Sequence, residues 1–116
     1  MSLTMTNSQN SDSCIDECIN CHQTCLQAAM NQCLETGGKH VEPEHFRLMM
    51  SCVEICQTSA NFMLSNSPFT QQVCRVCAEI CDACAESCEK LGDMQECAIA
   101  CRDCAESCRG MAGGTE

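Results

Sequence analysis

Small and apolar side chains recur along this chain at alternating intervals of four and three residues, with polar residues between them. Three stretches show the pattern in full: residues 14–25 (CIDECINCHQTC), 77–88 (CAEICDACAESC) and 97–108 (CAIACRDCAESC). Such spacing puts residues on one face of a helix, and its alternation marks the a and d positions of a heptad. The pattern therefore predicts amphipathic helices whose inner seam is cysteine, where leucine would be usual.

A fourth stretch, residues 52–63 (CVEICQTSANFM), is a degenerate copy of the same repeat. Cys52 and Cys56 keep their places, while Ser59 and Met63 stand at the third and fourth positions. Cys33 is irregular, because it follows Cys25 by eight residues and leaves the strict seam. Extending the 52–63 seam backwards at the same spacing adds Met49 and His45. Extending the 97–108 seam in both directions adds Met94 and Met111.

Three short breaks separate the helical segments: GGKHVEP at 37–43, SNSP at 65–68 and LGD at 91–93. Pro43 and Pro68 suit the first turn of a helix. Gly92 suits a C-cap, and Ser67 and Asp93 suit N-caps. Short connections of this kind favour antiparallel neighbours.

The predicted fold is all-α, an up-down-up-down antiparallel four-helix bundle over residues 12–110. Residues 1–11 are expected to form a disordered N-terminal tail, in which MSL is interpreted as a cloning remnant, and residues 111–116 a C-terminal tail. The predicted helices are 12–36, 43–65, 68–91 and 93–110.

The composition provides few large apolar residues, so the thiols could make up the hydrophobic core. Leu, Ile, Val and Phe together number only 18 of 116 residues, and the net charge is -10. Those values alone are typical of disorder, but buried free cysteine behaves as a small hydrophobe and there are 16 cysteines. The acidic balance and the lack of Trp and Tyr argue against nucleic acid as a partner. No signal peptide or membrane-length apolar run is visible, so the expected location is the cytoplasm, with reduced thiols.

Several chemistries fit a seam of thiols. A plain apolar core would explain the spacing but not the choice of cysteine. Disulfides between i and i+4 neighbours would be strained, since their Cβ atoms lie about 5–6 Å apart. Iron–sulfur ligation normally uses the looped run C-x2-C-x2-C-x3-C-P, whereas this run favours a continuous helix. Zinc would need four converging ligands per ion, and a redox role for the thiols also stays open.

Cu(I) suits the pattern best, because thiolate and thioether ligands select this soft ion. Two or three ligands satisfy it, so cysteines at i and i+4 could hold one ion and bridge to the next. Capacity would then be on the order of one ion per cysteine. One Cu(I) for each thiolate would also neutralise charges that are costly to bury alone.

With this repeat, the sequence resembles the bacterial copper storage proteins, a family once classed as ferredoxin-like, and in particular its cytosolic branch. The resemblance covers residues 14–108 and implies a four-helix bundle that binds many Cu(I) ions, often as a homotetramer. Catalytic activity is not expected, because no convergent set of acid, base and nucleophile is evident in the sequence. A copper chaperone or acceptor is left unidentified. The ligands that the resemblance implies are Cys14, Cys18, Cys21, Cys25, Cys52, Cys56, Cys74, Cys77, Cys81, Cys84, Cys88, Cys97, Cys101, Cys104 and Cys108. Cys33 departs from the run and is predicted as a further ligand.

One end of such a bundle gathers residues of a different kind. The end of the first helix, the start of the second and the start of the fourth meet there. Family members carry His or Met at an open mouth where metal is admitted, and this implies that role for His45, Met49 and Met94. His40 lies in a Gly-rich loop and is a weaker candidate. His22 is interpreted as a flanking residue, and Met63 and Met111 as a plug at the opposite end.

Overall fold

The computed structural model describes the backbone of residues 2–113 and the side chains of residues 12–113. It contains four long helices and, within the described residues, no strand. Helix α1 spans Ser2–Gln27 and continues through a π-helix at Ala28–Cys33 and a last turn at Leu34–Thr36. A 3₁₀ turn at Gly38–Val41 leads to α2. The remaining helices are α2 (Pro43–Leu64), α3 (Thr70–Leu91) and α4 (Gln95–Gly113).

The four helices form one antiparallel bundle, which confirms the predicted fold class. Helix α1 packs against α2 and α4, and α3 packs against the same two helices. The direction of packing follows from the sulfur pairs. Cys14 lies beside Cys108, and Cys25 lies beside Cys97, so α1 and α4 run in opposite directions. None of the described helices is both long and apolar enough to cross a membrane.

The helix ends agree with the predicted turn chemistry in part. Pro43 opens α2, and Gly92 ends α3 in the left-handed conformation at φ 90°, where its N–H bonds to the Cys88 carbonyl. The predicted N-cap at Asp93 is wrong, because α4 begins at Gln95 and the Asp93 carboxylate pairs with His40 instead. Helix α3 begins at Thr70, two residues later than Pro68 suggested.

The predicted tails stay predictions. Helix α1 begins at Ser2, upstream of the predicted start at residue 12, but residues 1–11 lie outside the part of the chain whose side chains are described. At the other end α4 continues to Gly113, and residues 114–116 lie outside the described residues.

The π-helix at Ala28–Cys33 resolves the irregular position of Cys33. A regular helix would continue the seam from Cys25 to Ala28 and then to Gln32. The wider π turn accommodates one additional residue, so the seam passes to Cys33 and Gln32 is exposed. Ala29 and Cys33 are both fully buried. The eight-residue spacing therefore keeps Cys33 in the core.

Removing one residue from the π-helix should be tolerated, whereas removing one elsewhere in α1 should not. Deletion of exposed Asn31 restores a seven-residue step from Cys25 to the next cysteine, so we expect all thiols to stay buried. Deletion of exposed Gln23 rotates the upstream cysteines by about 100° relative to the rest and should expose them. Thiol titration of the folded, metal-free variants measures this difference. Equal thiol exposure in the two variants would contradict this account of the π-helix.

Acidic residues lie mainly on the outside of the bundle, where two arginines tie α3 to α4. Arg102 makes ion pairs of 3.0 Å with Glu89 and 3.1 Å with Asp82, and Arg109 also contacts Asp82. The hydrogen bond from Arg102 lowers the pKa of the Glu89 carboxyl. Since these groups are solvent-exposed, they contribute little to stability. Within residues 12–113, no carboxylate side chain is fully buried.

Candidate metal centre

All sixteen cysteines lie in the core as free thiols, and none is more than 2% exposed. Four helices supply them, through the seam positions that the spacing predicts. Between the helices the sulfur atoms form a continuous path. Cys21 Sγ is 3.6 Å from Cys52 Sγ, which is 3.8 Å from Cys81 Sγ. Cys56 Sγ is 3.5 Å from Cys81 Sγ and 3.8 Å from Cys104 Sγ.

Cysteines one turn apart on the same helix are also close enough to share an ion. The Sγ atoms of Cys21 and Cys25, and those of Cys52 and Cys56, are 3.9 Å apart. With metal–sulfur bonds of about 2.3 Å, two sulfurs of a three-coordinate ion lie about 4.0 Å apart. The side chains are therefore already close to ligand geometry. Cys25 Sγ and Cys97 Sγ are the shortest pair, at 2.7 Å, and are not bonded.

The described part of the chain contains four groups of four cysteines whose sulfurs all lie within 4.8 Å of one another, and one group of three. Neighbouring groups share members: Cys21, Cys25, Cys101 and Cys104 each belong to two tetrads. Because of this sharing, no more than two tetrads can be occupied by separate tetrahedral ions. The arrangement favours ions that bridge shared thiolates over isolated four-coordinate sites.

The pKa values of the thiols differ from one position to another. Burial raises the pKa of the Cys33 thiol to about 11. Hydrogen bonding from Cys108 lowers the pKa of Cys104 to about 7, and the same interaction raises the pKa of Cys108. The first proton of this pair is thus released more easily than the second. Burial in a dry interior favours the neutral thiol over the thiolate.

One end of the sulfur path, here called the His/Met pole, is formed by Cys33, His45, Met49 and Met94, all buried. Cys33 Sγ is 3.7 Å from Met94 Sδ and 3.9 Å from His45 Nε2. Met49 Sδ lies 3.6–3.8 Å from three thiols, those of Cys84, Cys88 and Cys97. The pole therefore joins the thiol path directly through Met49.

His45 is positioned by its other ring nitrogen. Nδ1 lies 2.7 Å from the Ser87 hydroxyl, while Nε2 faces Cys33. Burial lowers the pKa of His45, so the ring is neutral at pH 7. A neutral imidazole fixed in this way can offer one nitrogen lone pair to a metal ion.

His40, the weaker candidate at this pole, is buried in the structure. The residue belongs to the 3₁₀ turn Gly38–Val41 and is only 5% exposed. Its Nε2 lies 3.1 Å from the Asp93 carboxylate, and its ring meets that of His45 edge to face at 6.5 Å between centroids. Its Nδ1 is buried without a hydrogen-bond partner among the described residues. The Gly-rich sequence around it gave no signal for this burial.

The remaining predicted flank and plug positions lie as the spacing suggests. His22 is partly buried, and its Nδ1–H donates to the Val53 carbonyl at 2.9 Å, between α1 and α2. Met63 is buried and Met111 half-buried at the end of the bundle opposite the His/Met pole.

The fold recurs in solved structures. The chain is similar to Nmul_A1745 from Nitrosospira multiformis, with 65% identity and a TM-score of 0.90 over 91% of this chain and 97% of that one. It is also similar to the Cu(I)-bound copper storage protein BsCsp3 from Bacillus subtilis, with 39% identity and a TM-score of 0.81 over 89% and 98%. A cytosolic copper storage protein from Streptomyces lividans, with five coppers, shows 28% identity and a TM-score of 0.76 over 91% and 94%.

Sequence comparison agrees. The uncharacterized cysteine-rich protein YhjQ from Bacillus subtilis (strain 168) is 40% identical over 71 residues, or 61% of this chain, and the match spans 65% of YhjQ, just under two thirds of its length. The family profile described as copper storage protein matches residues 7–113. With its helical bundle and its shared buried thiols, the chain belongs to the copper storage protein family.

Proposed function

We propose that this protein stores Cu(I) in the core of its bundle, with all sixteen cysteines as ligands. The observation that carries the proposal is the sharing of cysteines between neighbouring sulfur groups. A bridging thiolate serves two ions at once, and Cu(I) accepts two or three such ligands. Each bound ion displaces a thiol proton, so the charge of the core stays near zero as it fills. The similarity to Cu(I)-bound BsCsp3 supports the same conclusion.

An anaerobic titration with Cu(I) against a competing chelator tests this function. We expect saturation on the order of one ion per cysteine. A parallel titration with Zn²⁺ should saturate near two or three ions, because only two tetrads can be separate and the group Cys14, Cys74 and Cys108 can be occupied beside them. If Cu(I) also stops at two or three, the protein binds metal at isolated sites and the storage proposal fails.

The His/Met pole is proposed as the place where copper is admitted. Its ligands are one imidazole, two thioethers and Cys33, whereas the interior offers only thiolates. Neutral ligands hold Cu(I) less firmly than bridging thiolates do, so an ion received here would move inward. Met49 makes that transfer short, since its Sδ already contacts Cys84, Cys88 and Cys97. His40, with its buried and unpartnered Nδ1, adds a second imidazole close by.

Replacing His45 with alanine should slow copper uptake without reducing capacity. We expect an initial loading rate about tenfold lower, in the range found when metal-orienting groups are lost, and an unchanged final copper count. Stopped-flow absorbance of Cu(I)–thiolate formation measures the rate. The control is His22→Ala, because His22 bonds to Val53 between α1 and α2 and is not part of the pole. Equal rates in the two variants would rule out a role for His45 in uptake.

The same proposal gives the protein a non-catalytic role in copper homeostasis in the cytoplasm. The similarity to a cytosolic Streptomyces lividans protein supports that location. A homotetramer is proposed from the family resemblance, and exposed apolar side chains give it a surface. Leu64 is 65% exposed and Phe69 60% exposed, at the junction of α2 and α3. Size-exclusion chromatography with light scattering tests the assembly.

A further inference from the structure

Ser59 is a polar residue inside a sulfur-lined core. Its side chain is fully buried, and its hydroxyl oxygen has no hydrogen-bond partner among the described residues. A buried serine in a helix commonly bonds to the carbonyl four residues earlier, here that of Ile55, but this bond is absent. Leaving a buried hydroxyl unpaired is unfavourable. Among the described residues no acceptor, sulfur included, lies within hydrogen-bond geometry of this donor.

The position of Ser59 relates it to a particular group of thiols. It stands one seam step beyond Cys56, about 4.5 Å farther along α2, in the direction of Met63. Cys56 Sγ already lies 3.8 Å from Cys104 Sγ and 4.0 Å from Cys77 Sγ. Those two cysteines belong to the tetrad Cys18, Cys77, Cys104 and Cys108, here called the distal tetrad, to which α2 contributes no sulfur. Ser59 takes the α2 seam position at this level.

Copper loading changes what the hydroxyl can bond to. A neutral thiol is a weak acceptor, but a thiolate is charged and accepts strongly. When Cu(I) binds, the metal–sulfur bond forms as the S–H bond breaks and the proton leaves to solvent. Binding of Cu(I) thus converts thiols near Ser59 into thiolates that can accept its hydrogen bond, provided that the cysteines are ligands as proposed above.

We infer that the Ser59 hydroxyl donates a hydrogen bond to a copper-bound thiolate of the distal tetrad and so retains copper at the end of the core remote from the His/Met pole. Ser59 is a positioning residue, because an alcohol oxygen is a poor ligand for a soft ion. Alanine there would remove the unpaired donor from the metal-free state and the hydrogen bond from the loaded state. The two states should therefore respond in opposite directions.

The experiment compares Ser59→Ala with the wild-type protein and with Ser51→Ala, which alters an exposed serine of the same helix. Copper count, unfolding temperature without metal, and the rate of copper release to excess chelator are measured for each. For Ser59→Ala we expect an unchanged count, an unfolding temperature at least as high as wild type, and about tenfold faster release of part of the copper, since hydrogen bonds to charged groups are among the stronger ones. Ser51→Ala should match wild type throughout.

Release from Ser59→Ala at the wild-type rate would overturn the inference, and so would a lower unfolding temperature without metal, which would show that the hydroxyl already has a partner. As a second variant, Ser59→Cys should bind about one more Cu(I) than wild type, because it places a thiolate at the same seam position. An unchanged count in that variant would mean that position 59 does not reach the metal. A wild-type protein that fails to bind many ions would instead refute the storage function, so the two failures are distinguishable.

Discussion

Filling the core with Cu(I) is expected to raise the unfolding temperature by tens of degrees. The metal-free interior consists largely of small thiols and alanines, with Met49 and Val53 its largest fully buried side chains, so it buries little apolar area per residue. A ligand that binds only the folded state stabilises it by several kcal/mol for each tightly held ion. In a domain of this size each kcal/mol corresponds to about 4 °C. Several ions that link all four helices therefore produce a large shift.

Calorimetry or circular dichroism under anaerobic conditions measures this shift as copper is added stepwise. The loaded protein stripped with chelator serves as the control, and it should return to the metal-free transition. If full loading moves the midpoint by only a few degrees, copper sits on the surface and does not cross-link the helices. That result would contradict the core as the storage site even if the total copper count were high.

The fold was predictable because the sequence states the same periodicity four times. The seam spacing alone orients every regular cysteine, and the structure buries all of them. Cys33 was harder to predict, because its burial depends on the π-helix and on tertiary contacts with Met94 and His45. The local sequence AAMNQC contains no recognisable signal for a π-helix.

The error at Asp93 has a physical cause. Asp93 has the residue type of an N-cap, but its carboxylate pairs with His40, a residue more than fifty positions earlier. Ser67 differs, because its hydroxyl accepts the nearby Phe69 N–H, although the regular helix begins only at Thr70. Capping rules consider only the N–H groups next to a residue in sequence. They do not include a hydrogen-bond partner that tertiary folding brings close. The buried His40 and its unpartnered Nδ1 were missed for the same reason.

Shared cysteines should matter more to copper capacity than unshared ones. Cys21 and Cys101 both belong to two tetrads, and together they contribute to three of the four. Replacing both with alanine interrupts the bridged path in the middle of the bundle. We expect a loss of about four or more Cu(I) ions, because neighbouring thiolates lose the ion they would have shared. The loss is measured by the same anaerobic titration that gives the wild-type count.

The matched control replaces Cys33 and Cys88, which are equally buried but belong to none of the described sulfur groups. Removing them should cost only about two ions, one for each thiolate. Both double variants keep alanine at helical seam positions, so folding is comparable and is checked by circular dichroism. Equal losses from the two variants would mean that each cysteine acts alone, and the bridged path would then have no part in storage. A larger loss from the shared pair follows only if ions are held in common, which is the property that lets a small bundle carry many of them.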